Sequence, residues 1–145
     1  MSALQKEIPI LTAQIQALYE ELDKKFHLNG AGIPITFGFD KDLLGSYTQA
    51  GNGKKEHFHF SLYFVGYSVE HPLSKEDRLD LYKHEYAHYM QYNSEIPKQY
   101  EWQPGIHGSA WKYCCSLIGA APTPYYKAGE ALLKHDYDKA LKNPI

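Results

Sequence analysis

The sequence predicts an α+β domain on three observations: amphipathic helical spacing near the N-terminus, short alternating runs through the first half, and renewed helical spacing beyond residue 74. Leu11, Ile15, Leu18 and Leu22 recur as one apolar face, with Gln14, Gln16, Glu20 and Glu21 on the others, so an N-terminal helix is expected, ended by Gly30 and Gly32. Ile35, Phe37 and Phe39 alternate with Thr36 and Gly38 as in a half-buried strand, and a polar connection then leads into residues 46–50. Gly51-Asn52-Gly53 signals a hairpin turn. The following run sets Phe58, Phe60 and Leu62 against His57, His59 and Ser61, again a period of two. These strands are expected to form a small antiparallel sheet.

Ser74 with Asp77 three residues on resembles a capping box, and Leu79, Tyr82, Tyr86, Tyr89 and Met90 continue at helical spacing until Pro97. After a loop with Pro97, Pro104 and Gly105, residues 107–117 are read as a further helix closed near Gly119. Beyond Pro122 and Pro124 only a short helix around Tyr137 to Leu141 is expected. No internal repeat or linker divides the chain, and its 145 residues suit one domain with its own core, taken as 1–145.

Composition excludes several classes. A net charge of -2 argues against a globally basic nucleic-acid binder, and no run approaches the roughly 20 apolar residues that span a bilayer. The N-terminus lacks a basic-then-apolar secretory pattern, so a cytoplasmic location without membrane association is expected, and a monomer with it. Cys114 and Cys115 are adjacent, unsuited to joining distant segments or to a zinc ribbon, and read as reduced structural thiols. Any metal site must then come from the eight histidines.

His84-Glu85-Tyr86-Ala87-His88 carries the chemistry. Residues four apart share a helix face, so two imidazoles can bind one zinc ion, and Glu85 beside them can take a proton from zinc-bound water. Attack by the resulting hydroxide, polarisation of a carbonyl by zinc and proton return to the leaving amine by Glu85 make up a peptide hydrolysis. A catalytic zinc needs a third protein ligand and an open fourth position. Gln91 and Ser94 stand where the compact motif has glycine and histidine, and Glu95 and Glu101 flank Pro97 rather than sit on a packed helix. His107 fits better, since eighteen intervening residues let the chain turn and present it from the start of the next helix.

With His107-Gly108-x-x-Trp111-Lys112, this constellation resembles the SprT-like family of zinc metallopeptidases. The likeness covers most of residues 5–118 and includes a Gly-x-Tyr element, here Gly45-Ser46-Tyr47. It implies a minimal zincin-like domain in which the helix after the motif helix carries the third ligand. It implies a zinc metalloendopeptidase with one Zn2+ per chain on His84, His88 and His107, Glu85 as general base, Trp111 as a core anchor and Gly108 as the small residue beside the metal. The substrate would be a polypeptide. Association with DNA, and with proteins on DNA, follows from family analogy alone, because this chain lacks the family's frequent cysteine ribbon and any basic segment.

For the remaining polar and aromatic residues, packing or solvation competes with a functional role. His57 and His59 could line a cleft or be merely solvated, Tyr86 and Tyr89 could donate to an oxyanion or simply pack, and His27, His71 and His135 stand alone. Trp102 reads as packing and Lys112 as a solvated face. The strand before the motif helix is a candidate for binding an extended substrate by strand addition. Two other functions fit the same residues: a zinc hydrolase of small amides, and a metal-binding or partner-binding module without catalysis.

Overall fold

Residues 3–69 and 73–122 are described by the computed structural model. Among them are five α-helices and one three-stranded sheet, an α+β architecture. The chain divides into two compact units, Met1–Arg78 and Leu79–Ile145. The helix expected around Tyr137 to Leu141, and His71 and His135, lie outside the described residues.

In the first unit, α1 (Ala3–Lys6) leads into α2 (Ile8–Phe26), where Pro9 occupies the first turn, a position that needs no backbone N–H partner. Leu11, Ile15, Tyr19 and Leu22 are its buried residues. Tyr19 takes the place expected of Leu18, because the buried stripe is centred nearer Ile15 and leaves Leu18 on its flank. The helix ends earlier than Gly30. His27 adopts the left-handed conformation at φ 57° and its N–H bonds the Asp23 carbonyl. The Asp23 carboxylate then accepts the N–H groups of Gly30 at 2.7 Å and Ala31 at 2.9 Å, so the glycines form a separate 3-10 turn, Gly30–Gly32.

The strands are β1 (Ile35–Gly38), β2 (Gly45–Thr48) and β3 (His57–Ser61), in the order β1-β3-β2. β2 and β3 pair antiparallel across the expected hairpin, in which Gly51, Asn52 and Gly53 all have positive φ and Gly51 bridges Lys54. β1, however, pairs parallel to β3, so the sheet is mixed and not antiparallel. Alternation encodes which face is buried, not the direction of the neighbour. The connection through residues 39–56 contains β2 and lets the chain return beside β1 in the same sense.

Phe58 and Phe60 are fully buried, with the Tyr19 and Tyr47 rings 4.9 and 5.2 Å from Phe58. Leu62, expected to continue the strand, instead opens α3 (Leu62–Val65). On the opposite face His59 bonds Thr36 Oγ1 through Nδ1 and Asp40 Oδ2 through Nε2, both at 2.7 Å. His57 bonds the Lys55 carbonyl at 2.8 Å. Both histidines therefore serve local structure. Because β3 is hydrogen-bonded along both edges, it offers no ladder for strand addition, which overturns that expectation.

α4 (Lys75–Asn93) begins as the cap predicts: Ser74 Oγ accepts the Asp77 N–H at 3.1 Å, and Glu76 and Asp77 lie in the first turn. In the second unit it is followed by a 3-10 turn, Lys98–Tyr100, and α5 (Ser109–Ile118). α5 ends on Gly119, left-handed at φ 73°. Trp111, Cys114, Cys115 and Ile118 form its buried face, and Asp80 Oδ1 on α4 accepts the Ala121 N–H at 2.8 Å. Cys114 and Cys115 are free thiols, and burial pushes Cys114 up to about 12 and Cys115 well up, leaving both protonated and inert. No helix among the described residues is long and apolar enough to cross a membrane.

Candidate metal centre

His84 and His88 lie one turn apart on α4, and their Nε2 atoms are 3.3 Å from each other. Two nitrogens each about 2.05 Å from one ion, at a tetrahedral angle, stand roughly 3.3 Å apart, so the pair is spaced as two ligands of one metal ion can be. His107 completes a cluster in which one ligand atom from each residue lies within 4.8 Å of the others. His84 and His88 are 6 and 8 % exposed, while His107 is half-buried. Three histidines so placed can hold a metal ion.

His107 reaches the cluster from the turn before α5 and not from the helix itself, a correction to the expected placement. Gly108 takes an extended N-cap conformation and sets the helix start at Ser109. The turn is fastened from several sides. Gly105, at φ 104°, accepts the Gly108 N–H, and Gln91 on α4 donates to the same Gly105 carbonyl at 3.2 Å. The Ser109 hydroxyl meets the Tyr100 carbonyl and accepts the Gln103 N–H at 3.0 Å, while the Ser109 N–H bonds the Gln103 carbonyl. Lys112, expected on a solvated face, holds the Gln103 side chain at 3.0 Å. Tyr100 and Tyr113 stack with ring centroids 4.4 Å apart.

Gly108 is the one residue in this turn with no space for a side chain: a Cβ would stand 2.2 Å from the Gln103 carbonyl oxygen and 2.6 Å from that of Pro104. Gly108→Ala must push the backbone apart just where His107 is presented. It is expected to cost about 3 kcal/mol and to weaken metal binding, as urea unfolding and metal titration would show. Unchanged affinity would mean that the turn does not set the third ligand.

Burial shapes the electrostatics. Desolvation, with lesser repulsion from the neighbouring rings, holds His84 well below the usual imidazole value and His88 at about 3; burial also lowers His107. All three are neutral near pH 7, the form that offers a lone pair. Glu85 is buried too, its Oε2 4.0 Å from His84 Nε2, and desolvation raises its carboxyl to about 8.

These shifts fix how metal-free stability should vary with pH. The imidazoles gain protons more readily unfolded, so stability falls as pH drops below 6.5, toward about 3 for His88. Glu85 works in reverse: its contribution is present below 4.5 and is lost as pH rises through about 8. With three imidazoles against one carboxyl, denaturant midpoints of the metal-free protein should peak near pH 6.5, each uncompensated proton giving a slope of about 1.4 kcal/mol per pH unit. A midpoint still rising between pH 7 and 8 would show that Glu85 is not desolvated.

The four residues singled out by the motif thus come together: His84, His88 and His107 as a cluster, with Glu85 against it. Tyr86 and Tyr89 are buried and pack edge to face, which favours core packing over an oxyanion role. The supports of His107, namely Gln91, Gln103 and Ser109, were missed, and only the serine after Gly108 at a helix start carried a local signal for one of them. Comparison with protein-family models, with curated proteins and with solved structures returned no match.

Proposed function

We propose that this chain is a zinc-dependent metallopeptidase that hydrolyses polypeptides, the activity that its resemblance to the SprT-like family implies. The observation that carries the reading is a buried carboxyl, Glu85, 4.0 Å from His84 in a cluster of three histidines. A purely structural zinc site closes four positions with protein ligands and has no use for a base. Here the cluster among the described residues has three members, and neither buried cysteine is among them.

His84, His88 and His107 would hold the ion, and imidazole ligands favour zinc over harder cations. When bound there, zinc would supply positive charge to acidify an attacking water and polarise the scissile carbonyl oxygen. Glu85 takes the proton of that water as the bond forms to the carbonyl carbon, then delivers it to the amine nitrogen as the peptide bond breaks. Burial serves this role, because a carboxylate poorly solvated in its charged form is a stronger base than an exposed one. With a cation held by the three histidines, Glu85 would be favoured in its ionised form despite that burial.

The test is metal content of the wild type and His107→Ala by elemental mass spectrometry, then casein digestion by the same samples with and without single-stranded DNA. About one zinc per chain, lost in the variant, together with cleavage that depends on it, is the expected result. Cleavage only with DNA would extend the reading to DNA-associated substrates. Zinc without cleavage of protein or of small amides would favour a non-catalytic metal-binding module, and failure to bind zinc would overturn the proposal.

A further inference from the structure

We propose that Trp111 is a positioning residue that assembles the three histidines before any metal arrives; this rests on the metal-centre reading above. Its indole is fully buried and is a common neighbour of all three rings. The ring centroids lie 4.8 Å from His84, 5.3 Å from His88 and 4.8 Å from His107. Against His88 the planes are 18° apart, a stacked contact, whereas His84 and His107 meet the indole at 63° and 86°. One flat surface thus supports one ligand face-on and two edge-on.

The contact joins three separate pieces of chain. His84 and His88 come from α4, His107 from the turn, and Trp111 from the first turn of α5. Trp111 Nε1–H also donates to the His84 backbone carbonyl at 3.4 Å. In an α-helix that carbonyl receives the amide of the residue four positions on, here His88, so the indole braces the very turn that spaces the two ligands. The attraction is ring packing, one face stacked and two edges set against the indole.

An imidazole with no neighbour samples several rotamers and gives them up on binding metal. The indole removes that freedom in advance and closes one side of the ligand set to water. The groups that orient metal ligands commonly change affinity by 10- to 100-fold when lost, and they do so without touching the ion. Trp111 does this by shape, where a carboxylate or carbonyl would do it by hydrogen bonding.

The chain has two tryptophans, Trp102 and Trp111, which makes the contact directly observable. In Trp102→Phe the remaining emission comes from Trp111, and loading with Co2+ should quench it strongly. Zinc affinity by chelator competition and the visible absorption band of the Co2+ form would be compared for wild type, Trp111→Leu and Trp111→Phe, with circular dichroism of each metal-free protein as the folding control. Trp111→Leu should bind zinc about 10- to 100-fold more weakly, with an altered cobalt band. Trp111→Phe keeps a flat ring and should recover most of the affinity.

Wild-type affinity and an unchanged cobalt band in a folded Trp111→Leu would overturn the proposal while leaving the metal centre intact. Should the leucine variant fail to fold, the quenching measurement decides: Trp111 emission indifferent to bound Co2+ overturns it equally. A wild type that binds neither zinc nor Co2+ would remove the metal centre itself, and this inference with it.

Discussion

Glu85→Gln is expected to reduce peptide hydrolysis by about 10²- to 10⁴-fold while the protein keeps its fold and its zinc. The amide has nearly the shape of the carboxyl, so the packing of α4 is preserved, and His84, His88 and His107 are untouched. What is lost is the ability to take a proton from water and pass it on. Turnover numbers and metal content measured on one preparation would check this, and turnover at the wild-type level would remove Glu85 from the role of base. The same variant bears on the electrostatics: an amide does not titrate, so the loss of metal-free stability as pH rises toward 8 should disappear with it.

Removing the metal should have the second large effect, on stability as well as activity. A ligand that binds only the native state stabilises it by an amount that grows with the logarithm of its free concentration over Kd, about 4 kcal/mol at a thousandfold excess, or roughly 10 °C in melting temperature for a chain of this size. Chelation should therefore lower the midpoint, and zinc restore it. His88→Ala should abolish the response, because His88 belongs to the cluster that could hold the ion and is the ring stacked on Trp111. A melting temperature blind to zinc in the wild type would contradict the metal centre, and a response retained in His88→Ala would remove that residue from it.

Much of the fold was legible because its signals are local. Helix α4 announced itself through Ser74 and Asp77, and the hairpin through Gly51-Asn52-Gly53, each a matter of a few adjacent residues whose backbone geometry their side chains dictate. The spacing of His84 and His88 is likewise contained within one helical turn. What escaped is what depends on residues far apart in sequence. The parallel pairing of β1 with β3 is invisible to a period of two, and the exchange of Leu18 for Tyr19 depends on which flank of α2 meets the Phe58 ring.

His59 shows the same limit. Read along the strand it was an exposed polar residue, but Thr36 and Asp40, 23 and 19 positions away, employ both its ring nitrogens. His107 was reached by exclusion of Glu95 and Glu101 and by family resemblance, yet its seat in a turn was set by Gly108, whose missing Cβ speaks only once the carbonyls of Gln103 and Pro104 are in place.

The enclosure of β3 bears on how the protein behaves in concentrated solution. Its sequence, His57-Phe58-His59-Phe60-Ser61, pairs aromatic side chains with an extended backbone, the composition that seeds intermolecular β-structure when an edge is free. With β1 and β2 on either side, the strand most prone to recruit another chain is the one that no chain can reach. The edges left in this sheet among the described residues are two strands of four residues, one ending and the other beginning in glycine, which shortens the ladder each can offer another chain. Strand order thus keeps β3 from pairing with a second chain.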